Sequence, residues 1–436
     1  MKLLELPKKR IFIGLFPFFI LVIIVFLFSS VIGFPNEINM IQGEKQKFLS
    51  NIILNVKLEN DQKSIEVKST NLLSPYTFLN AQTTGSVRGE LKLFGILPMK
   101  KLTVNILPDI MVVPSGESIG VRIKSKGVTV VGLSSITDVN GKKTCPALDA
   151  GFIAGDKIIE INGNKVNVES DIVEIINGIK NRGQICKILI ERNETKLELS
   201  IKPVQSIEDK LYKLGLWVRS SIAGVGTMTF FEPLTGKFAA LGHGITDIES
   251  GVLIDIENGK ILKSKVISIQ KAKKSTPGEI IGIFNDKNGV YGIIEKNTSY
   301  GIYGSIDSKK INKQGKTMPI GLGNHVKEGN AKILTTIKDN KVEEFNIEIQ
   351  KVFRQNNADS KSMIIKITDE KLIEKTGGII QGMSGSPIIQ NGRLIGSVTH
   401  VLVNDPMRGY GIFVEWMLNE IKNSYDTENY CYKMAR

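Results

Sequence analysis

Hydrophobic and polar residues alternate with a period of two over many short stretches of this chain, and glycine-rich segments separate the stretches. The alternation is clear in IILNVKL at 52–58, ELKLF at 90–94 and GTMTFF at 226–231, and MIIKI at 363–367 is a short apolar run. Such alternation is typical of β-strands with one buried face. The sequence therefore predicts a mainly β protein.

Two stretches have helical spacing instead. Isoleucines three and four residues apart share one face of a predicted helix at 168–181, and a second predicted helix covers 414–422. The second helix lies near the end of a run of short strands at 211–425, which predicts two β-barrels or a sandwich. A doubly wound α/β hydrolase is disfavoured because helices do not follow the strands.

The N-terminal part has the pattern of a membrane anchor. Residues 11–34 contain no charged side chain and exceed the roughly 20 residues that cross a bilayer. The tail at 1–10 is basic, which predicts a cytoplasmic N-terminus with the rest of the chain outside. We expect an uncleaved single-pass anchor, with a long cleaved signal peptide as the alternative.

Three further regions follow from the patterning. Residues 35–108 form a small membrane-proximal β-rich module, and 426–436 are a short C-terminal tail. Residues 109–203 resemble a PDZ domain, above all in GDKIIEING at 155–163, where a strand enters an Asn-Gly turn. PDZ domains bind an extended peptide as an added strand. The resemblance implies a carboxylate-binding loop whose backbone N–H groups belong to Ser118, Ile119, Gly120 and Val121.

Charge and metal-binding residue types narrow the function classes. The net charge of +13 is spread without a dense basic cluster, which favours weak attraction to a membrane surface and not a nucleic-acid site. The three cysteines and three histidines have no metal-ligand spacing. We therefore expect no metal and no cofactor.

The segment GMSGSP at 382–387 carries the most specific chemical signal. Glycines on both sides of Ser384 let successive backbone N–H groups converge where an oxyanion would form. Ser384 is the candidate nucleophile, and the N–H groups of Gly382 and Ser384 are the candidate oxyanion hole. Without a base nearby, the same hexapeptide is an ordinary turn.

A serine nucleophile needs a base, and the chain offers three histidines. His243 follows an apolar strand in a glycine-flanked turn, which makes it the candidate general base. His400 ends a strand and is interpreted as structural or cleft-lining. His325 lies in a turn and is expected to face solvent.

A carboxylate would complete a triad by orienting the imidazole. Asp369 follows a strand and precedes the nucleophile turn, Asp247 lies four residues after His243, and Asp405 lies in a turn. The residues by themselves leave the choice between Asp369 and Asp247 open.

Three motifs together resemble the stage IV sporulation protein B peptidase family of endospore-forming bacteria. They are ALGH at 240–243, TGGIIQGMSGSPIIQNG at 376–392, and VTHVLVNDP at 398–406 followed by GYGI at 409–412. The order of anchor, PDZ domain and peptidase is also similar. The resemblance implies a trypsin-like double β-barrel serine endopeptidase with Ser384 as nucleophile, His243 as base and Asp369 as the acidic residue.

The same resemblance implies a biological role. Members of that family act between forespore and mother cell, cleave themselves, and cleave a regulator of an intramembrane metalloprotease, which leads to activation of the late mother-cell sigma factor. The expected partners are therefore peptide substrates, the chain itself, that regulator and the membrane. The alternative is a membrane-tethered PDZ scaffold with an inactive peptidase-like domain.

Overall fold

The computed structural model describes residues 36–49, 54–58, 65–69, 76–93, 96–179, 184–247, 251–284, 289–306, 316–353, 355 and 357–422. The predicted anchor at 11–34 and the tails at 1–10 and 426–436 lie outside these residues. Within the described part, no helix is long and apolar enough to cross a membrane. The chain divides into two compact units, at 1–110 with 355–357, and at 111–354 with 358–436.

The first unit is built from strands, as the alternation at its start predicts. A four-stranded sheet has the order β1-β7-β6-β3 and a three-stranded sheet the order β2-β5-β4. Met40, Leu79 and Val104 are fully buried in its core. The strands are β1 (Glu37–Ile41), β2 (Lys45–Leu49), β3 (Leu54–Leu58), β4 (Ile65–Ser69), β5 (Tyr76–Ala81), β6 (Gly85–Leu93) and β7 (Leu97–Leu107).

The second unit begins with the region predicted to be a PDZ domain. Its core joins Phe152, Ile158 and Ile188 to Ile172 and Ile176 of the predicted helix. That helix ends at Asn177, earlier than predicted, because Gly178 caps it. The elements are β8 (Met111–Pro114), β9 (Ser118–Leu133), β10 (Ile136–Thr137), β11 (Lys143–Thr144), α1 (Pro146–Asp149), β12 (Lys157–Ile161), β13 (Asn164–Lys165), α2 (Glu169–Asn177), β14 (Cys186–Arg192), β15 (Thr195–Ile201), β16 (Val204–Gln205) and β17 (Tyr212–Lys213).

The next strands form a barrel together with β9. The strands are β18 (Leu216–Phe231), β19 (Lys237–Ala240), β20 (Ile256–Gln270), β21 (Glu279–Phe284), β22 (Val290–Thr298), β23 (Gly301–Ile306) and β24 (Met318–Pro319). Pairing runs from β9 through β20, β22, β23, β19 and β18 and returns to β9. The first barrel is thus closed by a strand that also belongs to the PDZ region.

A second closed barrel has the order β25-β26-β27-β30-β29-β28. Its core includes Ile333, Phe345, Ile365 and Val398. The prediction of two β-barrels is therefore confirmed. The elements, after a 3₁₀ turn at Gly323–His325, are β25 (Gly329–Lys338), β26 (Lys341–Val352), β27 (Met363–Ile367), α3 (Glu370–Thr376), β28 (Pro387–Gln390), β29 (Arg393–Leu402), β30 (Asp405–Phe413) and α4 (Val414–Lys422).

The predicted carboxylate-binding loop is wrong. Ser118, Ile119, Gly120 and Val121 are the first residues of β9, and they are buried. They pair with β18 on one edge and, from Ile119 onward, with β20 on the other. Because strand neighbours use the backbone groups on both edges, this segment has no row of free N–H groups for a peptide carboxylate.

Candidate active site

The turn that carries Ser384 lies between α3 and β28 and depends on two glycines. Gly382 and Gly385 have φ values of 95° and 96°, where a side chain would be strained. The N–H of Gly385 donates to the carbonyl of Val398 at 2.8 Å. The turn is therefore held against β29 and leaves the Ser384 side chain half-buried at its tip.

Strand β18 of the first barrel holds the same turn from the other side. The N–H of Thr227 donates to the Ser384 carbonyl at 3.0 Å, and its hydroxyl donates to the Gly382 carbonyl at 2.7 Å. A Cβ added to Gly385 would lie 2.0 Å from the Thr227 carbonyl oxygen. The nucleophile turn of one barrel is thus packed directly on a strand of the other.

His243 comes from the first barrel, just after β19. Leu241 and Gly242 have φ values of 69° and 71°, so the chain turns sharply before the imidazole. The Nδ1 atom lies 2.9 Å from the carbonyl oxygen of Gly244. Since a carbonyl only accepts, Nδ1 carries the proton and Nε2 keeps the lone pair that a general base needs.

Ser384 and His243 are brought together through Thr227. Its carbonyl accepts the N–H of Leu241, two residues before His243, at 3.2 Å, while its N–H bonds the Ser384 carbonyl. The candidate nucleophile and candidate base therefore meet at the junction of the two barrels.

The Ser384 hydroxyl is not bonded to His243 within the described residues. Its Oγ donates to the carbonyl oxygen of Thr399 at 2.8 Å. The next residue, His400, has its ring centroid 5.0 Å from that of His243, with the planes tilted by 38°. The hydroxyl is therefore bonded to the backbone carbonyl of the residue that precedes His400, and the His400 ring lies against the His243 ring.

Burial lowers the pKa values of both histidines. For His243 the hydrogen bond to Gly244 partly opposes this effect. For His400, burial first and then the nearby His243 and Lys361 lower the pKa to about 4. Both rings are therefore neutral near pH 7, as a general base must be.

We expect this lowered pKa of His400 to make the fold acid-sensitive. Between about pH 6.5, where an unfolded histidine titrates, and about pH 4, the unfolded chain binds a proton that folded His400 does not, so stability falls as the pH falls. His400→Gln should reduce the loss of urea-unfolding midpoint between pH 7 and pH 5, with little change at pH 7. An unchanged loss would show that His400 does not contribute.

The two predicted oxyanion donors are placed on the same turn. Among the described residues, the N–H groups of Gly382 and Ser384 donate to no protein acceptor, whereas that of Gly385 is used by Val398. Two unpaired N–H groups beside a serine hydroxyl can donate hydrogen bonds to a developing oxyanion.

The structure does not bring Asp369 to His243, which corrects the predicted triad. The Asp369 carboxylate caps α3, accepting the N–H of Leu372, and also accepts the N–H of Asn346. Met363 at the start of β27 pairs with Gly411, near the site, and Asp369 lies six residues further on, up to about 20 Å along an extended chain. Its observed role is that of a helix cap.

The other candidate carboxylates are also engaged elsewhere. Asp247 is buried and paired with Arg219 at 3.2 Å. Asp405 is paired with Arg408 at 2.6 Å in a hairpin turn. In the described structure, the Gly244 carbonyl, and not a carboxylate, orients the His243 ring.

Three further residues build this site, and of these the sequence indicated only His400, as a structural or cleft-lining residue. Thr227 holds the nucleophile turn, the Thr399 carbonyl holds the hydroxyl, and His400 lies against His243. The sequence indicated a position near the site for His400, because this residue ends a predicted strand 16 residues after Ser384. Thr227 and Thr399 act mainly through backbone groups, for which the residue type carries no signal.

Comparison with known families agrees with this architecture. Residues 210–418 match the family described as SpoIVB peptidase S55, and residues 118–202 match the PDZ domain family. The chain is 34% identical over 119 residues to LL2128 of Lactococcus lactis subsp. lactis, whose name describes it as a zinc metalloprotease. That match covers 27% of this chain and 26% of the relative, so the chain spans about a quarter of the relative's length.

Solved structures include two weak likenesses. The PDZ domain of the SdrC-like protein Lmo2051 from Listeria monocytogenes is 26% identical, covering 21% of this chain and 87% of that one, with a TM-score of 0.18. The active form of the Rv3671c protease from M. tuberculosis is 13% identical, covering 46% of this chain and 73% of that one, with a TM-score of 0.26. TM-scores this low add nothing to the family matches. By those matches, residues 210–418 are similar to the SpoIVB peptidase S55 family, and residues 118–202, which precede them, are similar to PDZ domains.

Proposed function

We propose that Ser384 is the nucleophile and His243 the general base of this peptidase. The observation that carries the proposal is that both lie at the junction of the two barrels, linked through the backbone of Thr227. The tautomer set by Gly244 leaves the His243 Nε2 lone pair available.

The reaction follows from this arrangement. The Ser384 hydroxyl rotates away from the Thr399 carbonyl, His243 takes its proton, and Oγ attacks the substrate carbonyl carbon. The oxyanion accepts hydrogen bonds from the N–H groups of Gly382 and Ser384. The protonated His243 then gives its proton to the leaving amine, and water, deprotonated by His243, releases the acyl group from Ser384.

We further propose where the enzyme acts and on what. The uncharged stretch at 11–34 would anchor it in a membrane with the peptidase domain outside the cytoplasm, in the space between forespore and mother cell. Its substrates would be the chain itself and a membrane-protein regulator of an intramembrane metalloprotease. Through that cleavage it would signal activation of the late mother-cell sigma factor during sporulation. The family match and the apolar stretch support this proposal.

A time course of the purified protein tests the proposal. We expect new fragments to accumulate on a gel, and N-terminal sequencing of them to give the first self-cleavage site. Membrane fractionation of cells that produce the protein tests the anchor, which predicts recovery in the membrane pellet until cleavage releases the soluble part. If neither the chain nor an added peptide library is cut, the PDZ scaffold alternative becomes the better description.

Asp369→Asn tests whether a carboxylate is needed at that position. An asparagine caps a helix about as well as an aspartate, but its amide nitrogen cannot accept the Asn346 N–H, so the fold should be kept with a loss of about 1 kcal/mol in stability. Since Asp369 does not contact His243, we expect the cleavage rate to stay within about tenfold of wild type. A loss of several orders of magnitude in a protein that is still folded would place Asp369 in the catalytic machinery. Asp247→Asn should mainly lower stability, because it weakens the pair between Arg219 and the buried side chain at position 247.

A further inference from the structure

The PDZ region and the first barrel share two long strands. β18 pairs antiparallel with β9 over nearly its whole length, from Leu216 opposite Leu133 to Thr227 opposite Ser118. The first part of β18 therefore lies on the edge of β9 opposite the PDZ strand β12, which pairs with β9 at Val128 and Thr129. This is the kind of strand edge to which a PDZ domain adds a peptide.

The chain that enters this position also completes the PDZ core. We call residues 212–220 the groove segment. Leu214 is 4% exposed, and Tyr212, Leu216 and Val218 pack on the same core as α2, whereas Trp217 is 64% exposed. Alternate residues thus point inward, as in an extended peptide ligand whose every second side chain fills a pocket.

Helix α2 binds both ends of the groove segment. At one end the Asn177 amide accepts the Tyr212 N–H at 2.8 Å and donates to the Tyr212 carbonyl at 3.2 Å. At the other end the Glu169 carboxylate accepts the N–H of Ser220 at 2.6 Å and its hydroxyl at 2.7 Å. Asn177 therefore pairs with the backbone as a neighbouring strand would.

Because of these contacts, the groove segment occupies the position between β9 and α2 where a peptide strand could add. On one side the groove segment is hydrogen-bonded to β9, and on the other it is tied to α2 at each end. A peptide can enter only by displacing the groove segment. With Ser118–Val121 paired within the barrel, the fitting ligand is an internal extended peptide, recognised without a terminal carboxylate.

The groove segment is continuous with the strand that supports the nucleophile. β18 is 16 residues long, and Thr227, which bonds the Ser384 carbonyl, lies 11 residues after Leu216, about 35 Å along the strand. One hydrogen-bonded strand contains both the end of the groove segment and Thr227. Withdrawal of its first part from β9 therefore changes how firmly Thr227 is held against the turn of Ser384.

We propose that the groove segment is an internal ligand of the PDZ domain and that an extended peptide with alternating apolar residues competes with it. When the peptide displaces the groove segment, the change in β18 alters the turn of Ser384. The first two parts concern binding and are independent of catalysis. The third part extends the proposed function.

A disulfide that locks the groove segment in place tests the exchange. A Cβ added to Gly132 would lie 3.9 Å from the Trp217 Cβ, within the roughly 3.5–4.5 Å that disulfides span. The variant is Gly132→Cys with Trp217→Cys, made in a full-length Ser384→Ala chain that also carries Cys145→Ser and Cys431→Ser. Its reduced form is the matched control for its oxidised form.

The probe is a labelled peptide, LYKLGLWVRS, which repeats residues 211–220. We expect it to bind the reduced protein and to lose at least about tenfold in affinity on oxidation, because the groove segment can no longer leave. A peptide of the same composition with its apolar residues made consecutive should bind neither form. Equal affinity for the oxidised and reduced forms would overturn the proposal.

A loosened groove segment gives the opposite change. Leu214→Ala combined with Ser220→Ala removes a buried side chain and a bonded hydroxyl from the groove segment, whereas the probe keeps its own, so the peptide should bind about tenfold more tightly than it binds the unmodified chain. Glu174→Gln, on the exposed face of α2, is the control and should leave the affinity unchanged. If neither the loosened variant nor the reduced protein binds the peptide, the groove segment does not exchange and the proposal fails.

Hydrogen exchange tests the link to Ser384 without requiring activity. Saturating peptide should accelerate amide exchange in segments 221–231 and 382–386 of the reduced protein by at least about tenfold and leave the oxidised protein unchanged. In the enzyme with Ser384 intact, the cleavage rate of a reporter peptide should change in parallel. Unchanged exchange in both segments with peptide bound would overturn the coupling. Changed exchange in an enzyme that cuts nothing would instead count against the proposed function.

Discussion

Ser384→Ala is expected to abolish peptide cleavage, with a loss of about 10⁴-fold or more in rate. The hydroxyl that attacks the substrate is removed, while the backbone of the turn still bonds Thr227 and Val398. In the structure the side chain makes one hydrogen bond, to the Thr399 carbonyl, so the loss of stability should be about 1 kcal/mol. Cleavage of a fluorogenic peptide and the melting temperature measure both effects.

Ser386→Ala is the matched control in the same turn. The Ser386 side chain is fully buried, and its hydroxyl has no hydrogen-bond partner among the described residues. Replacing an unpaired buried hydroxyl with a methyl group should be neutral or slightly stabilising and should leave cleavage within a few fold of wild type. If Ser384→Ala kept substantial activity, Ser384 would not be the nucleophile, whatever Ser386→Ala did.

Gly385→Ala is expected to have the largest effect on the fold around the site. The new Cβ would lie 2.0 Å from the Thr227 carbonyl oxygen and 2.5 Å from the Leu241 N atom, both of them backbone atoms. The positive φ of 96° adds strain for any residue with a Cβ. We expect a loss of at least about 3 kcal/mol in the free energy of unfolding. Folded protein should lose at least about 100-fold in cleavage, because the turn must move away from His243.

Gly392→Ala separates the two causes of that loss. Gly392 also has a positive φ, of 73°, but nothing lies within 4 Å of an added Cβ. It should therefore cost only about 1 kcal/mol, from backbone strain alone, and leave cleavage nearly unchanged. Urea unfolding of the two variants gives the comparison. Equal losses of stability would show that the contact between the two barrels at Gly385 is unimportant.

Much of the local structure could be predicted because its signals are local. A period of two in hydrophobicity marks strands such as β6, and the glycines around Ser384 mark a turn wherever that turn lies in the fold. The capping role of Asp369 also had a local signal, since Asp369 directly precedes the helical run EKLIEKT at 370–376. Residue types and spacing were therefore enough to select Ser384 and His243 as candidates.

The choice of strand neighbours could not be predicted in the same way. A period of two shows that Ser118–Val121 belongs to an extended segment, but it does not show that β18 and β20 occupy its edges. Backbone hydrogen bonds are the same for every residue type, so pairing between distant strands leaves little trace in the sequence.

The sequence by itself determined the mainly β character, the resemblance of one region to PDZ domains and the residues that carry the candidate chemistry, and it left two barrels and a sandwich as alternatives. Only the tertiary structure placed Asp369 at a helix N-terminus, His400 against His243, and the groove segment between β9 and α2. The physical reason is the distance along the chain over which each kind of interaction acts. Hydrophobic periodicity, turns and caps depend on neighbours within a few residues, whereas these three contacts depend on the folded arrangement of whole strands and helices, which long-range packing selects.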